Sequence, residues 1–220
     1  MRFFDLRSRI QTEIFDYQTL IYALGDLSCP RDKITDLMRN GVIIRVKKGL
    51  YIFGEKFRRY PYSRELLANL IYGPSYVSLD YALSYYGLIP EKVEIITSVT
   101  TNRSRRFSTP VGLFTYRRIP VSAYAKGFIQ VEAENKQVFL MATREKALAD
   151  KLVSLRGVTF DSLSEIAEFL EEDLRIDTEI LRSLSVEMIE QYAAGYRSRK
   201  LKILAALVRR MARNQGKKYE

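Results

Sequence analysis

The chain has no histidine and no tryptophan, and its single cysteine is Cys29. Without histidine the usual general base is missing, and with it the Ser-His-Asp and Cys-His nucleophile systems and most transition-metal sites. One cysteine forms no intramolecular disulfide, which suits a reducing cytoplasm. Cys29 stands beside a helix start, where a dipole could lower its pKa, but it reads as a small buried or half-buried packing residue. No Gly-rich phosphate loop or dinucleotide fingerprint occurs. Long apolar runs are missing too: Leu66 to Tyr72 is far short of a membrane span and contains Asn69. Arg2, Asp5, Arg7 and Arg9 stand where a signal peptide needs an apolar stretch. The expectation is a cytoplasmic non-enzyme with no cofactor and no metal.

What the chain does have is positive charge, unevenly placed. Its 220 residues carry 36 Lys/Arg against 26 Asp/Glu, a formal +10. Residues 1–62 hold 12 basic against 7 acidic residues (+5), and residues 63–155 hold 12 against 8 (+4). Residues 156–196 reverse the sign with 3 against 10 (−7), and residues 197–220 restore it with 9 against 1 (+8). A basic excess at the front is the electrostatic footprint of a nucleic-acid binder. The acidic block beside a basic tail suggests helices that pair with each other or with another subunit, although a solvated face is the commoner explanation for either run. The length allows one good core plus a small module.

Between Ser28 and Phe53 the spacing predicts a helix followed at once by a basic hairpin. Ser28 can act as the N-cap, and Pro30 suits the first turn because it has no N–H to leave unpaired. Ile34, Leu37 and Met38 fall on one face, and Asn40-Gly41 supplies the stop. Val42 to Val46 reads as a strand, Lys48-Gly49 as a tight turn, and Leu50 to Phe53 as the returning strand. Ahead of these, Phe3 to Ile10 is a short amphipathic helix. Asp16 caps a second helix through about Leu24, closed by Gly25-Asp26. Helix, turn, helix and cationic hairpin is the order of a winged helix-turn-helix, whose second helix enters the major groove while the wing meets the sugar-phosphate backbone. Arg31, Lys33, Thr35 and Arg39 on the helix, with Arg45, Lys47 and Lys48 on the wing, are the expected contacts to duplex DNA. Asp32 and Asp36 share the outward face and would repel phosphate, although a carboxylate can accept from a cytosine amino group. A helical subdomain with an ordinary solvated hairpin is the alternative.

Gly54 to Tyr62 breaks the periodicity and reads as a linker, with Pro61 and the cations Lys56, Arg58 and Arg59. A helix follows from Ser63 to Ile71, then a turn at Gly73-Pro74 and a helix led by Ser78 or Asp80 through Tyr86. Strands are expected over Val93 to Thr101, Phe107 to Pro110, Gly112 to Arg118 and Gln137 to Met141. Thr143 caps a helix carrying Glu145 to Leu155. From Phe160 onward the pattern is helical: Ser162 and Glu165 make a capping box, Ser185 starts another helix, and Arg197 to Arg213 sets Leu201, Leu204, Leu207, Val208 and Met211 on one side. The fold class expected is α+β: an N-terminal winged helix-turn-helix over residues 1–54, a linker over 55–62, and a mixed α+β domain over 63–220 with a helical end at about 156–213. Arg103, Arg105 and Arg106, with Arg117 and Arg118, form a candidate second basic surface for nucleic-acid phosphates or an acidic partner; a solvated loop accounts for the charge as well. Tyr76, Tyr81, Tyr85 and Tyr86 could stack on bases, but at this spacing they read as core and rim packing.

The run GPSYVSLDYALSYYGLIPE from Gly73 to Glu91 resembles the hallmark segment of AbiEi-family antitoxins, the regulator half of type IV toxin–antitoxin and abortive phage-defence systems. TSVTTNRSRRFSTPVG from Thr97 to Gly112, FTYRRIP from Phe114 to Pro120 and ATREKALADKL from Ala142 to Leu152 resemble the same family in the same order, and GLYIF at Gly49 to Phe53 sits where that family places its DNA-binding domain. Arg144 departs from the pattern, standing where a proline or small residue is expected. The resemblance covers most of residues 15–155. It implies a DNA-binding repressor of its own operon that antagonises a nucleotidyltransferase-like toxin encoded next door, with neutralisation carried by the C-terminal body and direct contact with the toxin left open. Repeated half-sites in the promoter, read by a homodimer or by copies paired on DNA, fit that role. Two readings of other classes stay open. Glu134-Asn135-Lys136 has the Glu-x-Lys spacing which, with Glu91, could hold a divalent cation as in a PD-(D/E)xK nuclease. A non-catalytic protein-interaction module would instead use the acidic segment and basic tail.

Overall fold

The computed structural model describes residues 3–25, 27–133 and 136–216; Arg2, Asp26 and the Glu134-Asn135 pair of the expectations above lie outside the described residues. Helices and strands are mixed about two sheets. The first is built from β1 (Ile14–Asp16), β2 (Ile43–Lys47) and β3 (Leu50–Phe53), ordered β1-β3-β2 and antiparallel throughout. With it go α1 (Phe3–Arg9), α2 (Tyr17–Leu24) and α3 (Pro30–Arg39). Strand alternation gives this small sheet two apolar faces. Phe15, Ile43, Tyr51 and Phe53 pack under the helices against Leu6, Leu20, Ile34 and Leu37. Ile14, Val46, Leu50 and Ile52 turn the other way and join a second core that includes Leu67 and Ile71.

The local signals act much as their chemistry dictates. Asp16 accepts from the Thr19 amide at 2.8 Å and starts α2. Gly41, at φ 66°, ends the turn after α3, its N–H bonding the Met38 carbonyl. One cap differs: α3 begins after Cys29 rather than Ser28, with no side-chain cap bond, and relies on Pro30 in its first turn. Cys29 is exposed, not packed.

The segment expected to be a linker is fastened down. After a 3-10 turn at Glu55–Phe57, the Arg59 and Tyr60 amides donate to one carboxylate oxygen of Glu13 at 3.1 and 3.3 Å. Glu13 is buried and paired with Arg7. Gly54 makes the crossing possible, since a Cβ there would stand 1.9 Å from the Gly41 carbonyl oxygen.

The second sheet has six strands: β4 (Ser75–Val77), β5 (Ile96–Thr100), β6 (Arg105–Thr109), β7 (Gly112–Arg118), β8 (Phe128–Glu132) and β9 (Val138–Ala142), ordered β6-β7-β5-β4-β9-β8. It is mixed: β5 runs parallel to β7 and β4 to β9, while the other neighbours are antiparallel. Helix α4 (Arg64–Ile71) lies on one face, where the Tyr116 hydroxyl donates to the Ala68 carbonyl at 2.6 Å. Helices α5 (Leu79–Tyr85), α6 (Val121–Tyr124) and α7 (Arg144–Ser154) follow the strands they leave or precede. The helical end comprises α8 (Leu163–Glu168) running into a π turn at Phe169–Asp173, then α9 (Thr178–Arg182), α10 (Val186–Tyr196) and α11 (Arg199–Gly216). Leu201, Leu204 and Val208 of α11 join Leu148 and Leu152 of α7 in the main core. Ser63, Thr143, Ser162 and Ser185 each accept a backbone N–H as N-caps. Arg197, expected to open the last helix, instead closes α10 in the left-handed region at φ 51°. Among the described residues no helix is long and apolar enough to cross a membrane.

Candidate nucleic-acid interface

Helix α3 and the β2–β3 hairpin enclose an open groove of about 730 Å³. Its floor is Ile34, Met38, Tyr17 and Tyr51; its rim is Arg31 and Thr35 from the helix and Arg45 and Lys48 from the hairpin. Arg31, Thr35 and Met38 reach it because they recur at helical spacing on one side of α3. The side chains of Arg31, Arg45 and Lys48 are exposed and make no ion pair or hydrogen bond among the described residues. A cationic rim around an amphipathic floor, at the junction of a helix and a hairpin tip, can hold a sugar-phosphate strand.

Three of the seven expected contacts stand elsewhere. Lys33 is half-buried and paired with Asp36 at 3.1 Å, which holds the Asp36 carboxyl below its usual range. Asp36 also accepts from Asn40, so the carboxylate that would have repelled phosphate is engaged along the helix, outside the groove lining. Arg39 is exposed on the last turn, again outside that lining. Lys47 is re-aimed altogether. The register shifts between Arg45 and Lys47, so Arg45 pairs with Tyr51 and Lys47 with Leu50. A bulge of this kind sends the next side chain to the opposite face. Lys47 follows Leu50 toward the body, where its ammonium donates to the Ile71 carbonyl and burial lowers its pKa.

The expected second basic surface is divided by the same alternation. Arg105 pairs with Tyr116 and Arg106 with Thr115 across β6 and β7, so the two arginines take opposite faces. Arg105 lies over the Tyr72 ring at 5.6 Å, and the Tyr72 hydroxyl donates to the Arg103 carbonyl at 3.1 Å. Tyr72 directly follows Ile71, the residue that receives Lys47. Arg103 and Arg105 are thus tied through the end of α4 to the turn end of the hairpin, on the face that Lys47 takes, opposite Arg45. Arg117 faces the other way and donates to the Ser154 carbonyl at 2.6 Å, closing α7. Arg118 is exposed at the end of β7.

The body also buries an ionic cluster that the sequence reading passed over. Lys146 and Asp150 form a wholly buried ion pair one turn apart on α7. Asp150 accepts from Ser78 at 2.6 Å and from Tyr196 at 2.5 Å, and Lys146 also reaches the Tyr196 hydroxyl at 3.0 Å. The ammonium sits 4.5, 5.6 and 5.9 Å from the ring centres of Tyr196, Tyr192 and Tyr76. Burial pushes the Lys146 pKa down and those of Tyr76 and Tyr196 up. The cluster joins β4, α7 and α10, with Lys146 and Asp150 wholly buried and Tyr196 half-buried at its margin. A signal was available: Ala147, Leu148, Ala149 and Leu152 make α7 apolar around its girth, and such a helix buries its charges too. Tyr76 is buried here as expected of a core residue, Tyr86 donates to the Ala142 carbonyl, and Tyr85 is the half-exposed rim.

Among the described residues no group of acidic, cysteine or histidine side chains is placed to hold a metal ion. Glu91, the acid expected to act with Glu134, is paired with Arg175. No model of a known protein family matches this chain, and no curated protein matches it.

Proposed function

We propose that the chain is a winged helix-turn-helix protein that binds duplex DNA, represses its own operon and serves as the antitoxin of an AbiEi-type system. The observation that carries the DNA reading is the groove between α3 and the hairpin, whose rim cations Arg31, Arg45 and Lys48 are unspent among the described residues. Helix α3 is the element for the major groove and the hairpin the element for the backbone. Arg103 and Arg105, held against Tyr72 at the end of α4 that receives Lys47, are further exposed cations of the chain. The antitoxin half rests on the ordered resemblance of residues 15–155 alone.

Arg45→Ala and Lys48→Ala together test the reading. Each removed phosphate contact lowers the salt slope of binding by about one unit and weakens binding to all sequences alike. An unchanged gel shift of the chain's own promoter at fixed salt sinks it. The same double variant, in full-length form, should still protect cells from the toxin encoded next door while failing to repress. A truncated body is a poor reagent for this, because removing residues 1–62 strips Ile14, Val46, Leu50 and Ile52 from the core shared with Leu67 and Ile71.

A further inference from the structure

On the sheet face that carries Thr115 and Arg117, an open cavity of about 700 Å³ lies between β5, β7, the start of α5 and the end of α7. We propose that it binds a phosphorylated small molecule of about mononucleotide size. The volume is within the range of small-molecule sites, about 300–1,000 Å³. Thr97 and Thr115 stand side by side in register on its floor, and Arg117 follows two residues along β7 on the same face. Lys151 of α7 and Arg156, just beyond that helix, complete the wall. Three cations from three parts of the chain therefore meet a single carboxylate, Asp80, which is already paired with Lys151 at 2.5 Å.

The cations are set for an incoming anion. Arg117 spends one guanidinium nitrogen on the Ser154 carbonyl, which fixes the plane and leaves its remaining N–H groups to make a forked contact. Arg156 is exposed and has no partner among the described residues. The carbonyl end of α7 would repel an anion, but it is neutralised: Lys200 donates to the Leu152 and Leu155 carbonyls at 3.2 and 2.7 Å, and Arg117 to that of Ser154. Leu79 forms part of the wall with φ at 61°, a left-handed conformation that a leucine holds only where its surroundings impose it. Strain of this kind gathers at ligand clamps. Neither Arg31, Arg45 nor Lys48 lines this cavity, so its occupation is separable from the DNA groove.

The full chain should be titrated by calorimetry with ATP, AMP and inorganic phosphate at one ionic strength. Saturable binding of ATP or AMP at one equivalent is expected, with a dissociation constant below about 1 mM. Arg156→Ala removes only an exposed side chain, so its fold is safe; it should weaken binding about tenfold, as loss of a charge-assisted contact does. Arg117→Lys, which keeps the charge and loses the fork, should weaken it comparably. Arg45→Ala, expected to weaken DNA binding, should leave the affinity for ATP and AMP as it is in the parent chain. Absence of saturable heat, or affinity untouched by both cavity variants, overturns the proposal. So does equal loss in Arg45→Ala, which would place the phosphate in the DNA groove. A 5′-phosphorylated oligonucleotide binding more tightly than ATP through Arg117 and Arg156 would assign the cavity to a nucleic-acid end and likewise overturn it.

Discussion

Lys48, at the tip of the hairpin, ends in solvent with nothing among the described residues to bind, whereas Lys146 on α7 is buried and bonded to Asp150 and Tyr196 beneath three tyrosine rings. The same ammonium group does opposite work in the two places. A buried charge must be satisfied within the chain, because an unpaired one costs several kcal/mol. A charge left in water costs the fold little and keeps its interaction free for a partner. Spent charge therefore marks architecture here, and unspent charge is left free for a partner.

The largest effect should come from breaking the spent pair. Asp150→Ala leaves Lys146 buried without its anion, orphans the Ser78 hydroxyl and takes the acceptor from that of Tyr196. A loss of about 3–5 kcal/mol is expected in urea unfolding, a large share of the roughly 5–15 kcal/mol that holds a domain together. Replacing both members with apolar residues, Lys146→Met with Asp150→Leu, should recover much of it. A loss below about 1 kcal/mol for Asp150→Ala would show that the pair is not satisfying a buried charge. At a temperature where the variant is folded, its affinity for promoter DNA should equal that of the parent chain.

The sharpest contrast is between neighbours. Lys48→Ala should weaken promoter binding several-fold, about 1 kcal/mol or somewhat more, and reduce the salt slope by about one. Lys47→Ala should leave both unchanged while lowering stability by about 1 kcal/mol, since it unsatisfies the Ile71 carbonyl and removes a stem packed against the body. Equal losses of DNA affinity in the two variants, measured side by side, would return Lys47 to the interface and discard the role given to the bulge.

The bulge shows where sequence reading stops. Alternation placed Arg45 and Lys47 on one face of a regular strand; one extra residue in register, with no glycine to announce it, sends them to opposite faces. The α3 helix, the hairpin and the caps at Asp16, Ser63, Thr143, Ser162 and Ser185 were legible because each is decided within a few residues. Strands β1 and β4, three residues each, are too short to show a period, and β8 is largely exposed at a sheet edge, so its alternation carries no core signal. The Lys146 cluster gathers Ser78 and Tyr196 from distant parts of the chain. The cavity likewise depends on Thr97, Arg117 and Arg156 meeting across the sheet. Such meetings are set by strand order, which no local pattern encodes.

The smallest expected effect tests the same distinction inside the N-terminal module. Asp16 is exposed and yet spent: its carboxylate accepts the Thr19 amide at the start of α2, and that bond holds its pKa below the usual aspartate range. A folded-state pKa lowered in this way stabilises the fold above the unfolded value, about 4, and the contribution is lost as pH falls through the folded value. Asp16→Asn keeps an oxygen to cap the helix but carries no charge toward its N-terminus. Near pH 7 the variant should be less stable by a few tenths of a kcal/mol, the charge–dipole contribution after solvent screening. Below about pH 4 the two unfolding curves should converge, as the parent carboxyl becomes neutral too. Thermal unfolding of both proteins across that range reads the difference directly. A gap that stays constant down to low pH would mean the Asp16 charge is as unspent as that of Lys48, and exposure alone would then decide which charges the fold uses.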